Sequence, residues 1–313
     1  MKDKPPVIFI LGPTASGKTG LAIDLVASMQ AEIVSVDSAM VYRGMDIGTA
    51  KPDAETLRQA PHALIDIRDP ADAYSAADFV RDARIEIDRI HTAGRLPLLV
   101  GGTSLYFRAL EHGLSDMPGR DAELRARLTA EAAEHGWGAL HDRLTRLDPP
   151  TAARIHRNDA QRIQRMLEIH ELTGEAPSVL FARSDAADLP WSITKLIVAP
   201  STRDRLHRNI AERFRIMMAE GFRAEVEKLH ARPDLDLAQP SMRAVGYRQL
   251  WQALDGEFGH EEAVDRAVIA SRQLAKRQLT WLRSLDDARW LASDDDTMKI
   301  QARRLVQTAS GAT

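Results

Sequence analysis

Short apolar, mostly β-branched runs recur along the chain at 7–11, 33–36, 63–67, 96–100 and 193–198. Between the early runs the apolar positions fall about four apart, as at Leu21, Leu25 and Met29, which is the spacing of one helix face. Runs that are apolar at every position suit strands buried on both faces, with the intervening helices as crossovers between parallel neighbours. The pattern predicts an α/β fold built on a doubly wound parallel sheet. After about position 114 the strand runs stop, and helical spacing is predicted at 121–134, 139–147, 151–155 and 160–172, before a polar loop over 174–190. We therefore expect a first core part at 1–113, a helical insertion at 114–190, and a core completion with a helical C-terminal region at 191–313. Beyond the last strand the chain reads as helical from 203 onward, and its small-residue end, 309–313, is expected to be unstructured.

The first strand run is followed at once by Gly12-Pro13-Thr14-Ala15-Ser16-Gly17-Lys18-Thr19, which matches G-x-x-x-x-G-K-[ST] and precedes an amphipathic segment. Glycines let the backbone wrap closely, successive N–H groups point at an anion, and the positive end of the next helix adds to them. Lys18 adds a mobile positive charge and Thr19 a hydroxyl suited to magnesium. The loop does not specify the ester, because a nucleoside triphosphate and a prenyl diphosphate present similar oxygens to it.

Composition narrows the classes. The 313 residues are 44% hydrophobic, which suits a packed globular protein, and none is cysteine. That removes disulfides, iron–sulfur clusters, thiol catalysis and cysteine-ligated zinc, and it fits a reducing compartment. The start, 1–6, lacks the apolar core of a signal peptide and no run reaches membrane-spanning length, so a cytoplasmic protein with no membrane contact is expected. A net charge of −3 does not mark a nucleic-acid binder, but basicity is concentrated locally. Positions 266–283 hold five Lys or Arg and no Asp or Glu, and 154–165 set four arginines against Asp159 alone.

Ligands of doubly wound sheets bind beyond the carboxyl ends of the strands, so residues just after strand runs are candidates. Asp37 follows one run directly; it is a general base for a nucleophile aimed at the phosphate ester, a turn cap, or a magnesium ligand through water. Asp46–Pro52 is a glycine- and lysine-bearing loop that either shapes substrate entry or only connects. Gly101-Gly102-Thr103 puts a hydroxyl and close backbone where a triphosphatase of this class often keeps an acid. Arg213, on a helix patterned by Leu206, Ile210, Phe214 and Met217, either reaches a leaving diphosphate or faces solvent. Ser241–Gln249 joins Arg243, Gly246, Tyr247 and Arg248 without acids, a set that can grip phosphate and stack a base. Gln273–Arg283 is a second acid-free segment, in which Leu274, Trp281 and Leu282 are expected in the core and the polar remainder either meets a polyanion or is merely solvated.

Taken in order, Gly12–Thr19, Asp37–Pro52, Gly101–Tyr106, Asn158–Arg162, Arg243–Gln249 and Lys276–Arg283 resemble the bacterial tRNA dimethylallyltransferase family over 7–290. The resemblance implies a P-loop NTPase-like core that moves a dimethylallyl group from its diphosphate to the exocyclic amine of the adenosine just 3′ of the anticodon. It implies Asp37 as general base, the loop from Gly12 to Thr19 as diphosphate cradle, and Mg²⁺ near Thr19. Lys18, Thr19, Thr103 and Arg213 then belong to the catalytic set.

For tRNA it implies contacts from Asp37, Ser38, Ala39, Met40, Thr103 and Arg125, and from Gln161, Arg162, Ile163, Gln164 and Arg165. Arg243, Ala244, Val245, Gly246, Tyr247 and Arg248, with Lys276, Arg277 and Gln278, complete that set. The helical insertion would hold the anticodon stem-loop, with the target base flipped into the core. Met40 stands where the family frequently has glutamine, which removes one hydrogen bond to the base. The zinc-finger tail of eukaryotic relatives is missing, so no zinc is expected, and a monomer is. The rival readings are a prenyltransferase of free adenine nucleotides, which would not need basic helices, a small-molecule or nucleoside kinase with ATP in the same loop, and a non-catalytic nucleotide switch or RNA scaffold.

Overall fold

The computed structural model describes residues 4–113, 117–183 and 189–311. β1 (Pro6–Leu11) leads through the phosphate loop into α1 (Lys18–Ser28), β2 (Ala31–Val36), α2 (Ala54–Gln59), β3 (His62–Ala63), α3 (Ala76–Thr92), β4 (Leu96–Gly101) and α4 (Ser104–His112). Four helices follow: α5 (Ala122–Leu147), α6 (Pro149–Ala152), α7 (Ala160–Thr173) and α8 (Pro177–Ala182). The chain then forms β5 (Ser192–Ala199), α9 (Arg203–Ala219), α10 (Phe222–His230), α11 (Tyr247–Leu254), α12 (His260–Leu282), β6 (Ala288–Ala292) and α13 (Met298–Ser310). It divides into two compact units, Met1–Arg108 with Leu189–Thr313, and Ala109–Asp188.

In the first unit the six strands are all parallel, in the order β3-β2-β4-β1-β5-β6. Alternation along the strands sends Ile8, Ile10, Ile33, Leu98, Val100, Leu196 and Val198 to one face, under Leu21 and Leu25 of α1 and Met298, Ala302 and Val306 of α13. Phe9 points the other way and meets Phe107 of α4 at 4.9 Å between ring centres, and Phe107 in turn meets Trp281 of α12 at 6.2 Å. On α3, Phe79 lies flat on Tyr106 at 4.4 Å. Covering both faces explains why the strand runs are apolar throughout, and each fully buried large side chain contributes about 1.5–3 kcal/mol.

Several expectations are corrected. The run at 63–67 yields only a two-residue strand, because Leu64 (φ 63°) and Asp66 (φ 57°) take left-handed backbone that cannot extend a strand. A sixth strand, β6, interrupts the helical C-terminal region; it is an edge strand with only Leu291 buried, too little pattern to see in advance. The expected loop at 174–190 contains α8, begun by Pro177 at its first position, while 184–188 lie outside the described residues. The helix expected at 151–155 is the shorter turn α6, and the two expected at 121–134 and 139–147 meet in α5 at Gly136, whose φ of 80° breaks the helical path. At the C-terminal end, Ala309 and Ser310 belong to α13 and Ala309 packs on the core, while 312–313 lie outside the described residues, as do 1–3 and the expected boundary at 114. Of the three residues expected in the core of α12, Leu282 is buried and Leu274 and Trp281 are half-buried. No helix among the described residues is long and apolar enough to cross a membrane.

The second unit has its own core of Leu124, Leu128, Leu140, Leu144, Ala152, Ile163 and Leu167. Within it sits a fully buried carboxylate. Glu168 accepts from Arg125 Nε (2.8 Å) and Nη2 (2.9 Å), from Arg165 Nη1 (2.7 Å) and from the Asp121 N–H (2.9 Å). Burial alone would raise its pKa, but the two guanidinium groups and the amide outweigh that and hold it at about 2. Asp148 plays a similar part nearby, accepting from the Thr151 and Ser178 N–H groups at 3.2 and 2.7 Å.

Glu168→Ala should therefore loosen α5 and α7 by about 3 kcal/mol, the low end for a broken buried pair because both arginines keep some water contact. Faster amide hydrogen exchange confined to these helices is the expected readout. The folded-state pKa lies below the ordinary 4.5, so the stabilisation is complete above that value and is lost as pH falls from there toward about 2.

Candidate active site

Three strand ends lie in one register row: Leu11 of β1 pairs with Gly101 of β4, and Gly101 with Val36 of β2. One residue further on, the chain continues into the phosphate loop from β1, into Gly102-Thr103 from β4 and into Asp37 from β2. The row is tight. A β-carbon at Gly12 would lie 2.3 Å from the Val198 carbonyl oxygen, and one at Gly101 would lie 2.0 Å from the Val36 carbonyl oxygen, so only glycine fits either place.

The loop itself is bent through left-handed Ala15 (φ 59°) and Gly17 (φ 88°), and α1 begins on Lys18 with no side-chain cap. Its first N–H groups are thus left for an anion. Lys18 Nζ donates to the Pro13 carbonyl at 3.0 Å and Asn209 of α9 donates to the Ala15 carbonyl at 3.3 Å. Gln278 of α12 is a bridge across the row: its Oε1 accepts from the Thr14 N–H and its Nε2 donates to the Gly102 carbonyl, both at 2.9 Å. The buried Ser16 hydroxyl has no hydrogen-bond partner.

Asp37 caps a turn with only one of its two oxygens. Its Oδ1 accepts from the Ala39 and Met40 N–H groups at 2.8 and 3.3 Å, which leaves Oδ2 for other chemistry. Thr103 Oγ1 accepts from the Ser38 N–H at 3.2 Å and so ties the Asp37 turn to the end of β4. Arg213 of α9 donates to the Thr49 carbonyl at 3.1 Å. Desolvation lowers the pKa of Lys18 to about 8, assisted by the charge of Arg213 and opposed by that of Asp37. Arg213 is likewise lowered by desolvation and supported by Asp37. Two half-buried, partly desolvated cations and one carboxylate therefore act on one another here, which suits an anionic ligand carrying more than one negative charge.

The structure sorts the other expected contact residues. Ser38, Gln161, Arg162, Arg243, Arg248, Lys276 and Arg277 are exposed, and Ala39, Ala244 and Val245 are half-buried. Ile163 is instead a core residue of the second unit, and Tyr247, expected as a stacking face, is fully buried with its hydroxyl donated to Glu225. Burial and the Glu225 charge push the Tyr247 pKa up, so it stays protonated. Arg125 and Arg165 are held on Glu168, and Gln164 donates to the Arg125 carbonyl and Thr129 Oγ1. Gly246 is buried, and Met40 turns its Sδ to the Ser35 hydroxyl at 3.8 Å. Sequence reasoning missed the bridging part of Gln278, the Asn209 contact and Glu225 altogether; each acts on main chain far away in sequence and leaves no local signal.

Thr19 makes this loop a candidate for a metal ion. Among the described residues no group of three or more His, Cys, Asp or Glu could hold an ion unaided. Thr19 offers one hydroxyl, and the orphaned Ser16 oxygen lies in the same loop. This donor set fits magnesium arriving with a phosphate ester, because that ion keeps water and phosphate oxygens as most of its ligands.

Comparison with known proteins gives a consistent result. The profile of the IPP transferase family matches residues 40–285. A tRNA dimethylallyltransferase of Alkalilimnicola ehrlichii is 60% identical over 279 residues, 89% of this chain and 88% of that protein. Among solved structures, the full-length tRNA isopentenylpyrophosphate transferase of Bacillus halodurans matches with a TM-score of 0.71 at 38% identity, covering 99% of this chain and 97% of that one. The tRNA delta(2)-isopentenylpyrophosphate transferase of Staphylococcus epidermidis matches at 0.68 and 32%, covering 98% and 100%. A eukaryotic dimethylallyltransferase acting on tRNA shares the fold, with a TM-score of 0.83 at 24% identity over 99% of this chain and 80% of that one.

The Lys18 geometry makes a prediction about anion binding. The ammonium is charged below about pH 8, so the affinity for inorganic pyrophosphate should fall as pH rises through that value, by up to about tenfold per unit. Calorimetric titration from pH 7 upward is the check, with Lys18→Met binding weakly throughout and the ratio of the two affinities, in which the titration of pyrophosphate itself cancels, falling as pH rises.

Proposed function

The chain belongs to the IPP transferase family, and we propose that it moves a dimethylallyl group from dimethylallyl diphosphate to the exocyclic amine of the adenosine 3′-adjacent to the tRNA anticodon. The observation that carries this reading is the single register row that aligns the phosphate loop, Thr103 and Asp37. A donor held by its diphosphate at one end of that row presents its allylic carbon toward an acceptor at the other.

An adenine amine attacks poorly, because its lone pair is delocalised into the ring. Asp37 Oδ2 takes the amine proton as the carbon–nitrogen bond forms, while Oδ1 remains on its two N–H donors and keeps the group aimed. The bond from the allylic carbon to the diphosphate oxygen breaks in the same event. Loop N–H groups, Lys18 and Arg213 meet the charge that grows on the departing diphosphate, and their poor hydration strengthens that interaction. Magnesium held through Thr19, when bound, neutralises part of the diphosphate charge. Gln278 ties the loop to the end of β4 and Thr103 ties the end of β4 to the Asp37 turn, which together hold donor and acceptor sites at a constant separation.

On the RNA side, the exposed Gln161 and Arg162 of the helical insertion, and Ser38, Arg243, Arg248, Lys276 and Arg277 of the core, are the contacts we assign to the anticodon stem-loop. Contacts of this kind, mainly to phosphate, set position and make binding salt-dependent. Ile163 is buried in the insertion and Tyr247 in the core, and each supports its own unit from within.

Labelled dimethylallyl diphosphate incubated with the protein and unmodified tRNA should place label in the tRNA. ATP turnover without prenyl transfer would overturn the reading. Asp37→Asn keeps an oxygen for the turn and removes the base, so turnover should drop about 10²- to 10⁴-fold with tRNA affinity unchanged in a filter-binding assay.

A further inference from the structure

The loop from Asp46 to Lys51 runs beside Arg213, and one carboxylate from α10 organises it. Glu225 Oε2 accepts from the N–H groups of Asp46 (3.0 Å) and Ile47 (2.8 Å), and Oε1 accepts from the Gly48 N–H (3.1 Å) and from the buried Tyr247 hydroxyl. Three consecutive main-chain donors on a single carboxylate make a tight anion nest, closed by a side chain of the same protein. Below it the chain has no slack. A β-carbon at Gly48 would fall 2.1 Å from the Phe222 ring and 2.6 Å from that of Tyr247, and those two rings pack edge to face at 4.9 Å.

The next residue carries the consequence. Thr49 is tied down through its side chain, which donates to the Met45 and Asp46 carbonyls at 2.7 and 3.1 Å. Its carbonyl oxygen accepts from Arg213 Nη2, and among the described residues this is the one hydrogen bond of the guanidinium. Lys51 closes the far end of the loop onto the Tyr42 carbonyl, Asp46 and Asp66. A long side chain has many rotamers, and a desolvated guanidinium goes where its acceptor stands. That acceptor is a loop carbonyl, and the loop conformation depends on Glu225.

We propose that Glu225 is a positioning residue for prenyl transfer: it holds the Asp46–Thr49 main chain so that the Thr49 carbonyl aims Arg213 at the leaving diphosphate. The inference rests on the proposed prenyl transfer and adds a residue that touches neither substrate. Glutamine at 225 keeps one acceptor oxygen and replaces the other with a donor facing the Gly48 N–H and the Tyr247 hydroxyl. The loop then loses half its anchorage while the apolar packing of Phe222 and Tyr247 remains.

The test is a double-mutant cycle in single-turnover prenyl transfer, with wild type, Glu225→Gln, Arg213→Ala and the pair. Glu225→Gln should slow the chemical step by up to about 10²-fold with donor and tRNA affinities little changed, and any fall in melting temperature should be the same with and without Arg213. In the Arg213→Ala background the same change should add almost nothing, since the group it positions has gone. An equal loss in both backgrounds, or a wild-type rate for Glu225→Gln, overturns the proposal. Should Glu225→Gln fail to fold, Tyr247→Phe removes one donor from the same carboxylate, and its smaller loss must vanish in the same way. Wild-type protein is the control: if it transfers no label to tRNA, the functional reading fails and not the positioning by Glu225.

Discussion

Everything at the site depends on how closely three parallel strands can end side by side. Leu11, Gly101 and Val36 share one row, and the main chain around them is packed so tightly that glycine alone fits at 12 and 101. With strands about 4.8 Å apart, that row sets the chain outlets of β1 and β2 about 10 Å from each other, with the outlet of β4 between them. A group-transfer reaction needs such a fixed span, with a grip on the leaving group at one end and a proton acceptor at the other. Helices cover both faces of the sheet behind the row, and Gln278 ties two of its three outlets together.

Electrostatics at this edge are unbalanced. Lys18 and Arg213 both lose hydration, which weakens their hold on their protons, and Asp37 is the shared counter-charge. A bound polyanion would relieve this imbalance. The same arrangement keeps Asp37 useful. One oxygen is occupied by the turn it caps, so capping alone does not use up the carboxylate.

Basic and amide side chains differ in how far they are covered. Arg125, Arg165, Gln164 and Gln278 are engaged by the protein itself, where each satisfies a buried carboxylate or a main-chain group. Arg243, Arg248, Lys276 and Arg277 stay exposed. An overall charge of −3 thus coexists with local cationic surfaces, because many acids are matched internally or at helix ends, as Glu168 and Glu225 are.

Much of the fold was legible because its signals are local. Buried strands announce themselves in runs such as Val7–Leu11, and the phosphate loop and Asp37 are read from what directly precedes them. β6 escaped notice because an edge strand with one buried residue has almost no pattern, and the run at 63–67 misled because its apolar residues serve a left-handed turn. The roles of Tyr247, Ile163 and Gln278 were invisible for a different reason. Gln278 meets Thr14 across 264 positions of chain, and Glu225 meets Gly48 across 177. The sequence by itself determined the alternation of strands and helices, the phosphate-loop motif and the acid that follows β2, since each is set by neighbours a few residues away. Only the tertiary structure decided which polar side chains remain available to a ligand and which are consumed inside, because a buried donor or acceptor must find its partner wherever the packed chain brings one.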